Sequence, residues 1–357
     1  MHSFGAEMMP AKSSLSRYRN KISKLFFKDI LQELLNSFKR PTWRGYHIYA
    51  TDGFELVLPS TGDIRAIGYT GRRLKTDSGA TGETYYPHMY TVQTYDVLSR
   101  TTKAVDVSTV NHETNGAISN IRDLEMKSLT LYDRGFCNNK VIHAHFENRN
   151  HFMVRFKTGK SIPVEIQSFW ESDIKQDSFL FKGDPDRRVY LYKVRHKKKK
   201  ETHVYATSFK GLTLAEAEEL YRLRWDVENY FRDLVNNLPL EQWHSKTENG
   251  ILQELYVRLW IMNYARIQQF LNEKPIKNPL SRIYKRSNFK LILDFIINHW
   301  ADFFARKRNF LQKIKLLIKA STEKRKRYSR SVKRQLRYQN KNYPAANIVF
   351  DPEVKVA

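Results

Sequence analysis

Tyr221-Arg-Leu-Arg-Trp-Asp-Val-Glu228-Asn-Tyr-Phe-Arg-Asp-Leu234 is the stretch on which the reading of this chain turns. Just upstream, Thr213-Leu-Ala-Glu216 has the form of a capping box, and Glu216, Glu218 and Glu219 suit the positive end of a helix dipole, so a helix is predicted to start there. Leu220, Leu223, Val227, Phe231, Leu234 and Leu238 recur at three- and four-residue intervals and give that helix a continuous apolar face. Tyr221, Arg224 and Glu228 follow i, i+3, i+7 on a different face. One reading of this stripe is a solvated surface with an i, i+4 ion pair worth a few tenths of a kcal/mol. The other makes Glu228 the last of three carboxylates that hold divalent metal ions.

The segments upstream decide between the two. Residues 12–40 read as helical, and Pro41 ends that unit. Tyr46–Ala50 and Phe54–Leu58 are short strand-like runs separated by Thr51-Asp52-Gly53, and Met89–Val97 is a third. Residues 60–86 read as a long loop and residues 112–125 as a helix. Ser128–Tyr132 is a fourth strand that ends at Asp133-Arg-Gly-Phe136. A helix capped by Asn138 or Asn139 follows, then a fifth strand from His151 to Phe156. Residues 158–207 read as further β structure, and everything after Leu212 as helix apart from the final tail. A meander followed by parallel strands under helices makes an α/β sheet of mixed direction. Asp52 then falls at the end of the first strand and Asp133 at the carboxyl end of the fourth, where open α/β sheets bind ligands. Taken singly, each reads as a turn residue.

Charge points to the partner. The chain carries 62 Lys+Arg against 37 Asp+Glu, a formal net charge of +25, and phosphate backbones answer such an excess. The basic residues cluster. Lys197–Lys200 reads as the solvated tip of a hairpin, whereas Arg306–Lys341 holds fifteen Lys or Arg with Glu323 as its only acid. Lys324, Arg325, Lys326 and Arg327 within that run, interleaved with Tyr328 and Tyr338, are expected to contact DNA phosphates. No run of eighteen apolar residues or signal-peptide pattern is present, so no membrane partner is expected and a cytoplasmic, nucleoid-associated protein fits best. The single Cys137 excludes an internal disulfide framework, and His143 and His145 lack neighbours that would complete a zinc set.

With these residues assembled, the chain resembles the DDE transposases of bacterial insertion sequences, specifically the insertion sequence 4 family with its Y-x2-R-x3-E-x6-K signature. Tyr221, Arg224 and Glu228 match the spacing, Thr51-Asp52-Gly53 is similar to the first Asp motif, and Tyr132-Asp133-Arg-Gly-Phe136 to the second. The likeness runs from about residue 45 to about residue 270. It implies an RNase-H-like mixed sheet core with a β-rich insertion before the last catalytic helix and helical N- and C-terminal parts. It also implies Asp52, Asp133 and Glu228 as catalytic and metal-binding residues, two Mg2+ or Mn2+ ions per site, and a homodimer on double-stranded DNA, bound at the element ends and the target. Two features depart from the pattern. Val235 stands where the signature has Lys, with Arg232 offering a cation one turn earlier, and only about 45 residues precede the first motif, which suggests truncation or a reduced end-recognition segment.

The expected organisation is a short helical N-terminal segment (1–42), the first part of the core (43–157), the β-rich insertion (158–209), the second part of the core (210–272) and a basic helical C-terminal region (273–357). Two metal ions between three carboxylates suit phosphodiester transfer, because they neutralise the phosphate oxygens and activate water or a 3′-OH. Arg224 is either the ion-pair partner of Glu228 or a phosphate ligand, and Tyr221 either joins it or anchors the helix. Trp170 in the insertion is a candidate for stacking a displaced base. The alternatives to an active transposase are a DNA-binding relative that has lost its chemistry and a structure-selective nuclease on the same fold.

Overall fold

The computed structural model describes residues 12–69, 71–75, 81–156, 164–196, 201–238, 240–273 and 283–326. The Lys197–Lys200 block, Arg327 and the rest of the basic run lie outside these residues.

The N-terminal segment forms two helices, α1 (Lys12–Lys21) and α2 (Lys24–Asn36), because Ser23 breaks the run and caps α2 by accepting from Leu25 N–H. The chain continues as β1 (His47–Val57), a short α3 (Gly62–Ala66), β2 (Gly71–Lys75), β3 (Thr81–Asp96), β4 (Thr101–Ser108) and α4 (Glu113–Ile121). Then come β5 (Ser128–Tyr132), α5 (Asn139–Glu147), β6 (His151–Arg155), α6 (Val164–Glu171), β7 (Gln176–Leu180), β8 (Arg188–His196) and β9 (Glu201–Thr207). The remainder is α7 (Leu214–Leu223), α8 (Trp225–Asn237), α9 (Glu248–Asn272), β10 (Ile283–Arg286), α10 (Phe289–Asn298), α11 (Trp300–Phe304), α12 (Arg308–Ala320) and β11 (Glu323–Lys326).

The large sheet runs β2-β3-β1-β5-β6-β9-β8-β7, with β4 also paired to β3. Its centre is β4-β3-β1-β5-β6: β1, β3 and β4 form an antiparallel meander, and β5 and β6 run parallel to β1. With a helix after β4 and another after β5, this is the RNase-H-like mixed sheet. The strands of the insertion do not form a separate unit. β9 pairs antiparallel with β6, and β8 and β7 extend the same sheet.

Five stretches differ from the sequence-based expectation. Residues 60–86, expected as a loop, hold α3, β2 and the first part of β3, because β2 pairs antiparallel with β3 and extends the sheet. The two short strands around Asp52 are one continuous β1, since Thr51-Asp52-Gly53 is paired on β3 by Thr94, Gln93 and Val92 and bordered by β5. The unbroken ladder with β3 outweighs the local turn preference of Asp-Gly. The meander is completed instead by β4, whose alternation (Thr-Thr-Lys-Ala-Val-Asp-Val-Ser) is mostly polar in residue type yet buried over Thr101–Val105. Helix α6 interrupts the β-rich stretch, so Trp170 lies on a helix and not a strand. In the C-terminal part, β10 and β11 form a two-stranded antiparallel sheet that places Lys324, Arg325 and Lys326 on a strand.

Two hydrophobic cores lie on the two faces of the sheet. Ile48, Ala50, Leu129, Leu131 and Met153 point to the face covered by α7, α8, α9 and the C-terminal helices. Phe152, Val154, Tyr132, Val204 and Ala206 point to the face covered by α4, α5 and α6. Central strands buried on both faces read as apolar runs, which is why β5 and β6 were legible.

Candidate active site

The pleat decides where the acids point. On β1 the residues Ile48, Ala50, Phe54 and Leu56 belong to the core under α7 and α8, so Asp52 shares that face. On β5 the partner of Thr51 is Tyr132, and Ala50 pairs with Leu131. Asp133 therefore follows at the level of Asp52, on the same face of the neighbouring strand. Their sequence distance of 81 residues is closed by one step of parallel register.

Helices α7 and α8 bring the third acid. The capping box forms as the sequence indicates, with Thr213 Oγ1 accepting from Glu216 N–H and the Glu216 carboxylate accepting from Thr213 N–H. The helix does not run on unbroken: it tightens at Arg224, where Arg224 N–H bonds Tyr221 O at 3.1 Å and Val227 N–H bonds Arg224 O at 3.2 Å. The Arg224 side chain is only 4% exposed, yet it lies between two acids, with Nη2 2.7 Å from Glu228 Oε1 and Nη1 3.6 Å from Asp52 Oδ2. Its guanidinium also rests over the exposed Trp225 ring at 4.7 Å. Burial works against its charge, but Glu228, Tyr221 and Asp133 more than offset this and hold its pKa above the ordinary value.

Asp133 has its own partners. Tyr221 Oη donates to Asp133 Oδ1 at 3.5 Å, and Arg155 Nη2 from β6 stands 3.6 Å from the same oxygen. Tyr221 is buried and its ring stacks on Tyr205 at 4.5 Å, so it both anchors the helix to the sheet and reaches the acid. Burial is the largest influence on Asp52 and pushes its pKa up to about 6, against the pull of Arg224 and of the Gly53 N–H at 2.9 Å. Glu228 and Glu113 push in the same direction as burial.

Glu113 is a neighbour that sequence reasoning missed. It occupies the first turn of α4, and its Oε1 would lie 2.5 Å from a Cβ placed on Gly53, so the missing side chain of Gly53 is what lets Glu113 lie there. The Gly in Asp52-Gly53 was the available signal, but nothing local says what fills the space. Arg155 was missed for a similar reason, since it reads as an ordinary strand residue.

The other singled-out residues take no part in these contacts. Arg232 is exposed and donates to Asn229 Oδ1 at 3.3 Å, and Val235 is half-buried. Trp170 is 38% exposed, and its carbonyl accepts from Lys193 Nζ. His145 is a core residue between Tyr132 Oη (2.9 Å) and Asn150 Oδ1 (2.5 Å), and burial pushes its pKa down to about 3. Among the described residues no three His, Cys, Asp or Glu side chains stand at the spacing of a preformed metal site. The cation between the acids is Arg224. The donor set around it is nonetheless all carboxylate oxygen, which suits a hard divalent ion.

Residues 43–264 match the family described as the transposase DDE domain, and the chain belongs to that family. No curated protein matches the chain. Among solved structures, it is similar to the piggyBac transposase in a synaptic complex with hairpin DNA, at 12% identity and a TM-score of 0.42, over 76% of this chain. The chain spans 57% of the length of that protein. No described helix is long and apolar enough to cross a membrane.

Proposed function

We propose that this chain is a transposase of the insertion sequence 4 group that cuts and joins DNA at the ends of an insertion sequence by phosphodiester transfer. The observation that carries the reading is the gathering of Asp52 and Glu228 on Arg224, with Asp133 at the level of Asp52 on the next strand. The Tyr221, Arg224 and Glu228 spacing supports the finer group.

Asp52, Asp133 and Glu228 would hold two divalent ions, Mg2+ or Mn2+, and these when bound neutralise phosphate oxygens and lower the pKa of the attacking water or 3′-OH. The chain's own residues set the stage. Asp52 must be ionised to take part. Arg224 keeps Asp52 and Glu228 within reach of each other, and its guanidinium is suited to a non-bridging phosphate oxygen. Tyr221 and Arg155 orient Asp133. Arg232, exposed one turn beyond Glu228, and the basic residues Lys324 to Arg327 are assigned to phosphate contact. The partners are double-stranded DNA and a second copy of the chain on it, in the bacterial cytoplasm.

The test is Mg2+-dependent cleavage of duplexes bearing the inverted repeats that flank the gene. Asp52→Asn, Asp133→Asn and Glu228→Gln should each abolish cleavage while DNA binding stays within a few-fold. Near-normal cleavage by any one removes that residue from the site. Val235 favours a second reading, a DNA-binding relative without chemistry, and binding with no cleavage under any divalent ion would select it.

A further inference from the structure

A polar cavity of about 360 Å³ lies on the flank of α8 away from the carboxylate cluster. Asp226, Asn229 and Asp233 line it, and at 100° per residue these fall on the side of the helix away from Glu228. Four cationic side chains from three further segments meet there: Arg100 from the β3–β4 turn, Arg266 from α9, and Arg286 and Lys290 around the start of α10.

We propose that the pocket where Arg100, Arg266 and Arg286 converge at the N-terminus of α10 is a binding site for a phosphate group, separate from the carboxylate cluster. The side chains of the three arginines are 14%, 5% and 7% exposed, so their mutual repulsion is poorly screened. The deeply buried counter-charge is Glu273, 2.9 Å from Arg286 Nη1 and 3.7 Å from Arg100 Nη2, while Arg266 pairs with the more exposed Asp233. Gln269 Oε1 takes bonds from Arg100 at 2.6 Å and from Arg266 at 3.1 Å, a neutral acceptor shared by two cations. The buried Nε atoms of Arg100 and Arg266 have no hydrogen-bond partner among the described residues. Burial first, and then the neighbouring Arg286 and Arg266, push the pKa of Arg100 well below the ordinary guanidinium value, against the pull of Glu273.

The backbone agrees with the side chains. Arg100 holds φ at +63° in the β3–β4 turn, and its side chain reaches Gln269 Oε1 inside the pocket. Helix α10 opens at the pocket with Asn288 accepting from Lys290 N–H, so the positive end of a ten-residue helix faces the same space. Asp226 and Asp233 of the lining, with Glu273 paired to Arg286 and Arg100, set three acids against four cations. A phosphate would supply the missing charge and accept several charge-assisted bonds at once.

Two sources share this chemistry: a DNA phosphodiester and free inorganic phosphate. The first rests on the transposase reading, and the second does not. The experiment is calorimetric titration of the full chain with inorganic phosphate at constant ionic strength, on the wild type, Arg286→Gln and Lys290→Gln, alongside binding of a short duplex. Phosphate should bind the wild type and weaken roughly tenfold in Arg286→Gln, with a smaller loss in Lys290→Gln. Lys290 is exposed, so that variant carries the test if Arg286→Gln does not fold. If DNA is the source, phosphate competes with the duplex and Lys290→Gln lowers the slope of log K against log salt by about one. If free phosphate is the source, duplex affinity is unchanged while phosphate affinity drops. Phosphate that fails to bind above chloride, or binds all three proteins equally, overturns the proposal. Cleavage that survives Asp52→Asn sinks the catalytic reading of that residue and leaves the phosphate result standing.

Discussion

Asp52 and Arg224 carry most of the electrostatics of the carboxylate cluster. With divalent cations removed, the Asp52 pKa of about 6 lies above its unfolded value of 3.8, so protonation favours the folded chain. Stability should therefore fall as pH rises from about 4 to about 6, by about 1–2 kcal/mol once partial exposure is allowed for. Urea midpoints at pH 4 and pH 7 check this, and Asp52→Asn should flatten the difference; an unchanged slope would mean that Asp52 is not the group responsible. Arg224→Gln should cost on the order of 1–3 kcal/mol at pH 7, because it leaves Asp52 and Glu228 facing each other without their cation. The loss should shrink at pH 4, where Asp52 is protonated, and a pH-independent loss would point to packing against Trp225 instead.

Helices α7 and α8 set the position of Glu228, and their two ends are separately testable. Thr213→Ala removes the cap on Glu216 N–H and the hydroxyl's bond to the Glu216 carboxylate while leaving the backbone bond from Thr213 N–H, and should lower stability by about 1 kcal/mol in equilibrium unfolding. At the other end, Val235 sits half-buried in the last turn of α8. Val235→Lys should tighten binding to cut DNA ends by restoring a cation near the phosphate path. A loss of stability with no gain in binding would show that this position packs against its neighbours.

At the scale of the whole molecule, the excess of charge is laid over a folded C-terminal region. In α12, Phe310, Ile314 and Ile318 are buried at i, i+4 and i+8, while Lys313, Lys315 and Lys319 are exposed. This part of the basic run is thus an amphipathic helix packed against the core, and deleting everything after Ala305 would strip an apolar stripe along with the charge. Changing Lys313, Lys315 and Lys319 to Gln is the cleaner test. DNA affinity should fall and the slope of log K against log salt should flatten by roughly one unit for each phosphate that is no longer neutralised. An unchanged slope would place the binding surface elsewhere.

The sequence by itself determined what is encoded locally. The Thr213–Glu216 cap, the apolar stripe through Leu234, the cap at Asn138 and the apolar runs of β5 and β6 all depend on neighbours within a turn or two, and all are in place. So was the order of Asp52, Asp133 and Glu228 along a mixed α/β chain. Tertiary structure alone decided the rest. Thr51-Asp52-Gly53 became mid-strand because β3 pairs all three residues and β5 pairs Thr51, which no local turn preference can register. Glu113 beside Gly53, Arg155 beside Asp133, and the meeting of Arg100, Arg266 and Arg286 each join segments far apart in sequence. Periodicity states which face of an element is apolar, but only the pairing of strands and the packing of helices choose which distant charges must share one buried space.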